Sequence, residues 1–274
     1  MKLVEVPRTM RGAVSRKGTH RNEAGRSFVD AAVLDVGVVG TPIHLSPDTL
    51  ARLVGADEAA QRAELGRLRV RGGAVPFAAV SGAWNSYQTW LDLGCPERDA
   101  RALSRSHYGR PNRSVWQAGL VVELDIDGQV TAGGMRDESY VARVARVCTI
   151  MRRAGFTPLQ ELRNGPGDSV PFLNLAPWPL GSLVEGFEDE EGLDVYDQVG
   201  AAACALLGVS VGDGEVDRLV QAHLVRDGHA VEVTGKLGGR ERQRLSRLGV
   251  QGVERGPGVI LGEIQRLGIG TGTI

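Results

Sequence analysis

Between Ile43 and Val75 the chain reads IHLSPDTLARLVGADEAAQRAELGRLRVRGGAV, and its leucine spacing limits what can form there. Ser46 is a good N-cap, with Pro47 at the first helical position, where a missing N–H costs nothing. Leu50, Leu53 and Val54 then recur at helical spacing. Gly55 is placed to close this helix in a left-handed turn, and Asp57 to cap a second one. Leu65 and Leu68 give the second helix an apolar seam, and Gly72-Gly73 ends it before Ala74-Val75. The stretch predicts two short helices hinged at a glycine, followed by a strand.

Its flanks extend the pattern. Phe28 to Val39 reads as an earlier helix with Phe28, Ala32, Val33 and Val36 on one face. Val75 to Val80 reads as a strand, Ser81-Gly82 as a turn, and Trp84 to Leu93 as a second strand or a short helix. On these elements residues 22–90 resemble winged-helix DNA-binding domains, whose second helix of the helix-turn-helix enters the major groove. The resemblance implies double-stranded DNA as partner, with Arg62, Arg67, Arg69 and Arg71 as contacts. Two features depart from the family pattern: Gln61 stands at a core position, and Asp57 and Glu58 put negative charge at the end that approaches DNA. A winged helix that binds protein is the alternative.

Charge divides the chain. Residues 1–154 hold 22 Lys and Arg against 16 Asp and Glu, whereas residues 155–274 hold 10 against 17. A basic half suits a polyanion, and an acidic half suits a protein partner. Residues 1–26, with seven Lys and Arg against Glu5 and Glu23, suit an arm that lies along phosphates. From Pro96 to Tyr108 a basic helix carries Arg98, Arg101 and Arg105 on one face. Arg110 and Arg113 follow, beside Tyr108 and Trp116, and basic residues interleaved with aromatics suit nucleic acid. No apolar run is long enough to span a membrane, and no apolar core follows the basic N-terminus as in a secretory signal. Cys95, Cys148 and Cys204 lie far apart without a CxxC pair, which fits a reducing cytoplasm.

One stretch points to chemistry. Gly119 to Val130 reads as a strand ending at an Asp127-Gly128 turn, with Glu123, Asp125 and Asp127 at alternate positions on one face. Three such carboxylates repel one another unless a divalent cation such as Mg²⁺ neutralises them. The run RPNRSVWQAGLVVELDIDG, with the helix Glu138–Ala154 and Phe156-Thr-Pro-Leu after it, resembles the core of very-short-patch-type endonucleases. That resemblance implies metal-assisted phosphodiester hydrolysis. Asn112 replaces an aspartate of the pattern and no lysine follows Asp125 closely. An acidic outer strand face explains the same residues without metal.

Within the 138–154 helix Tyr140, Val144, Val147, Cys148 and Met151 form the apolar stripe, with arginines outside it. Four prolines and three glycines between Arg163 and Ser182 predict a linker or extended loop. The seven acids of Glu185–Asp197 are a solvated loop, a dock for a basic partner, or a cover for this chain's own basic half. Helices are expected at Val199–Leu207, Glu215–Val225 and Arg240–Arg247, a strand at 229–235, and glycine-rich turns between short strands at the end. Helix, glycine and strand there echo the first unit as a degenerate second winged helix.

The expected fold is α+β. It comprises a basic arm (1–21), a winged helix (22–95), a mixed α/β region (96–162), a linker (163–182) and a smaller C-terminal α+β domain (183–274). The expected function is non-enzymatic DNA binding, regulatory or accessory to replication or recombination, without a cofactor. Alternatives are a Mg²⁺-dependent nuclease and a protein-interaction module that modulates a DNA-acting enzyme.

Overall fold

The computed structural model describes residues 2–11, 20–21, 27–28, 42–104, 108–125, 138–159, 169–180 and 195–271. They form helices and small antiparallel sheets, a mixed α+β architecture. Two short pairs come first: β1 (Val4–Glu5) with β4 (His44–Leu45), and β2 (His20–Arg21) with β3 (Ser27–Phe28). The helix expected over 28–39 lies, beyond Phe28, outside the described residues.

Ser46 does cap a helix, its Oγ accepting the Thr49 N–H at 3.2 Å. That helix, α1 (Pro47–Arg62), runs on through Gly55, where spacing predicts a turn. Leu53, Ala56 and Ala60 form its buried stripe, and Gly55 lies on the exposed side with open space around it. A glycine there weakens the helix by about 1 kcal/mol relative to alanine. Burial of Leu53 alone contributes about 1.5–3 kcal/mol, so the helix continues. Asp57, expected to cap a second helix, instead lies inside α1. Its buried carboxylate accepts the Leu68 N–H at 2.7 Å and the Gln61 amide at 2.8 Å. Leu65 and Leu68 are buried, but in a loop that this carboxylate fastens before β5 (Arg69–Gly72).

The expected wing is also helical. Pro76 accepts the Ala79 and Val80 N–H groups and so opens α2 (Phe77–Asp92), whose Val80 and Tyr87 point inward at helical spacing. The Ser81-Gly82 turn signal falls inside this helix. The basic helix predicted after Pro96 is present as α3 (Glu97–Ser104) and packs on α2. Residues 43–93 therefore do not form the helix-turn-helix and wing expected of them.

Strand β5 is the edge of a four-stranded antiparallel sheet with β6 (Val121–Asp125), β7 (Phe156–Pro158) and β8 (Ser169–Asn174), in the order β5-β6-β8-β7. Helix α4 (Glu138–Arg153) links β6 to β7, which are parallel with β8 between them, a split β-α-β unit. One sheet face, with Val122, Leu124, Val170 and Phe172, packs against Leu53, Ala56 and Ala60 of α1 and Val144, Val147 and Met151 of α4.

The linker expected at 163–182 thus contains a central strand, because Phe172 and Leu173 are buried on opposite faces of the sheet. Pro171 is tolerated in it for a geometric reason. Its carbonyl accepts the Leu159 N–H at 3.0 Å, beyond the end of β7, so its missing N–H faces that frayed side and the ladder to β6 is intact.

The end of the sheet joins a helical unit through one continuous core that includes Trp116, Leu120, Leu173 and Trp178. At its centre is α5 (Val195–Leu207), almost wholly buried. It lies so close to the preceding loop that a Cβ at Gly200 would sit 2.0 Å from the Arg113 carbonyl oxygen. Around it lie α6 (Glu215–Arg226), α7 (Gly239–Arg247) and α8 (Pro257–Leu267).

Among the described residues 195–271 there is no strand, contrary to the α+β expectation and the second winged helix. At 229–235 the buried Gln221 amide takes the place of a partner strand. Its Oε1 accepts the Thr234 and Gly235 N–H groups, and its Nε2 donates to the Lys236 carbonyl. The C-terminal glycines flank a helix: Pro257 opens α8, left-handed Gly268 closes it, and Ile260 and Ile264 are buried.

Candidate nucleic-acid interface

Helices α1 and α4 lie antiparallel on the sheet, and two arginines fix their register. Arg52 Nη1 donates to the Ala154 carbonyl at 3.4 Å, just past α4, while Arg146 Nη2 donates to the Ala63 carbonyl, just past α1. Each helix thus lends a guanidinium to the other's C-terminal carbonyls, where the macrodipole favours positive charge.

The same layer carries further exposed cations: Arg62 in the last turn of α1, and Arg152 and Arg153 in the last turn of α4. Arg67 is exposed just before the edge strand β5, and Arg69 is exposed at its first position, where its register partner is Asp125. Nearby acids are few among the described side chains. Glu58 lies 3.8 Å from Arg62, and Glu64 is exposed in the following loop. The Asp57 carboxylate is internal, and Asp48 is paired at 3.3 Å with Arg226 of α6. The outer face of the α1–α4 layer is therefore cationic. Arg52, Arg146, Arg152 and Arg153 are additional to the DNA-facing arginines expected from the sequence. The signal for the last three is the basic exterior of the 138–154 helix, which sequence alone does not distinguish from a solvated face.

The remaining arginines expected to face DNA have other surroundings. Arg71 is half-buried beside Glu123. Arg98 is exposed in the first turn of α3. Arg101 pairs with Glu97 at 2.7 Å and lies 5.4 Å over the Tyr87 ring. That guanidinium holds the Glu97 carboxyl below the usual carboxylate range. Arg110 lies 5.3 Å over Trp84 and 3.6 Å from Asp197, and Arg113 meets Glu232 at 2.7 Å. Arg105 lies outside the described residues. The helical unit thus answers the 110–113 arginines with carboxylates, and Asp197 belongs to the acidic stretch for which a cover over the chain's basic half is one expectation.

Of the carboxylate triplet, the side chain of Glu123 is described; that of Asp125, and Asp127 as a whole, fall outside. Glu123 is half-buried on the sheet face opposite α1 and α4. Burial pushes its carboxyl up, and the Arg71 charge partly opposes this. Among the described residues no three His, Cys, Asp or Glu side chains are grouped to hold a metal ion, and no helix is long and apolar enough to cross a membrane. No protein-family model matches the chain, and neither a curated protein nor a solved structure matches it significantly.

Proposed function

We propose that the chain binds double-stranded DNA, as a regulatory or accessory factor, through the outer face of the α1–α4 layer and the adjoining β5 edge. One observation carries the reading: Arg52, Arg62, Arg146, Arg152 and Arg153 share a two-helix layer whose described acidic neighbours are Glu58 and Glu64. Arg52 and Arg146 also hold helix ends, which fixes their position, and each guanidinium has five N–H donors, more than its carbonyl uses. The interaction is with phosphates, so affinity falls steeply with salt and sequence preference is weak.

The test is a titration of labelled duplex at several salt concentrations with the full chain. Arg152→Ala/Arg153→Ala should weaken binding across sequences and flatten the plot of log affinity against log salt by about 0.9 for each phosphate no longer neutralised. Salt-independent binding, or an unchanged slope in this variant, would refute the assignment.

A further inference from the structure

The arginines of the 108–118 loop face this chain's own carboxylates, although their aromatic surroundings suit nucleic acid. Arg110 stacks over Trp84 at 5.3 Å and lies 3.6 Å from Asp197 on α5. Arg113 meets Glu232 at 2.7 Å. The loop also has neutral anchors independent of these ion pairs: the Asn112 side chain donates to the Val211 carbonyl at 2.7 Å and accepts its N–H at 2.8 Å, and Gln117 Nε2 donates to the Val209 carbonyl at 2.7 Å. Trp116 and Ala118 are buried in the core shared with α5 and α6, and Gly200 lets α5 lie against the loop. Beside this anchoring by amides and apolar packing, the two carboxylates neutralise guanidiniums that would otherwise extend the basic surface.

We propose that Asp197 and Glu232 act as internal phosphate mimics that keep Arg110 and Arg113 out of DNA binding and confine the duplex to the α1–α4 face. The inference rests on the DNA-binding reading. Because the carboxylates occupy the guanidinium positions that a phosphate would take, removing their charge opens a second patch for the backbone of a duplex. Replacement by the neutral isosteres leaves the anchoring amides untouched.

The experiment compares wild type, Asp197→Asn/Glu232→Gln, Arg110→Ala/Arg113→Ala and the fourfold combination. All are titrated with the same labelled duplex over a salt series, after thermal melts confirm folding. The carboxylate variant should bind tighter, with a salt slope steeper by up to about 1.8, two phosphates at roughly 0.9 each. In the wild-type background the arginine variant should leave the slope unchanged, and in the fourfold variant it should erase the gain. A charge-matched control at the start of α6, Asp213→Asn/Glu215→Gln, should not steepen the slope. If wild type binds DNA and the carboxylate variant has the same slope, or the control gains as much, masking is overturned while the DNA-binding reading stands. A slope lowered by Arg110→Ala/Arg113→Ala in wild type overturns masking too, because those arginines would already be touching the duplex. If wild type does not bind but the carboxylate variant does, masking holds and the α1–α4 face is the wrong surface. If neither binds, both readings fall.

Discussion

Substitution of Gly55 by alanine distinguishes a continuous α1 from two helices hinged at this residue. In the structure Gly55 is near the middle of a helix that spans Pro47–Arg62, it is exposed, and no atom of the described residues lies within 4 Å of where a Cβ would be. A methyl group there meets no obstacle, so backbone entropy decides the effect. Glycine in a helix interior is less favourable than alanine by roughly 0.5–1 kcal/mol, part of which arises in the unfolded chain. For a chain of 274 residues a gain of that size raises Tm by about 1–3 °C. Thermal melts and urea unfolding followed by circular dichroism would measure it, with an unchanged urea slope confirming that the transition itself is the same. A left-handed Gly55 closing a short helix gives the opposite sign, since alanine pays a steric penalty of about 1 kcal/mol or more in that conformation. A lowered Tm in Gly55→Ala would therefore refute the single helix, and with it the placement of Arg52 and Arg62 on one face with α4.

Two further substitutions probe buried polar groups. Gln198 on α5 is fully buried and neither atom of its amide has a hydrogen-bond partner among the described residues, so Gln198→Met, close in volume, should stabilise the fold by about 1–3 kcal/mol in urea unfolding, and a loss of stability would show that the amide is bonded in solution. Burial raises the Glu123 carboxyl above its unfolded value, so the native state binds the proton more tightly. The stability from this group is present below the unfolded pKa and lost as pH rises through the folded one. Glu123→Gln should accordingly raise Tm near pH 7 and leave it unchanged near pH 4, and equal shifts at both values would contradict a buried, ionising Glu123.

Some of this was legible in the sequence, where a signal acts over one or two turns of chain. The Ser46-Pro47 cap, the stripe of α4, the basic α7 and the strand through Val121–Asp125 all form close to where spacing put them. The misreadings share one physical cause: a local signal states that a polar group needs a partner or that a residue permits a turn, but the partner lies elsewhere. Gly55 permits a turn, yet the stripe of Leu53, Ala56 and Ala60 is held against strands far along the chain, around Val122 and Phe172, and that burial keeps the helix continuous. Pro171 argues against a central strand until the end of β7 leaves its missing N–H nothing to pair with. The 229–235 segment has the apolar alternation of a strand, but its Thr234 and Gly235 N–H groups find their acceptor in one side chain, Gln221.

The candidate interface follows the same rule. A count of arginines finds every basic segment, but it does not say which ones face carboxylates. Arg113 and Glu232 are 119 residues apart and meet because the 108–118 loop and the helical unit pack together in one core. A basic segment in sequence is thus a supply of charge, and the fold decides which part of that supply faces outward. Here the fold directs it outward on α1 and α4, with carboxylates opposite Arg110 and Arg113, and that division makes both proposals separable by charge-neutral substitution.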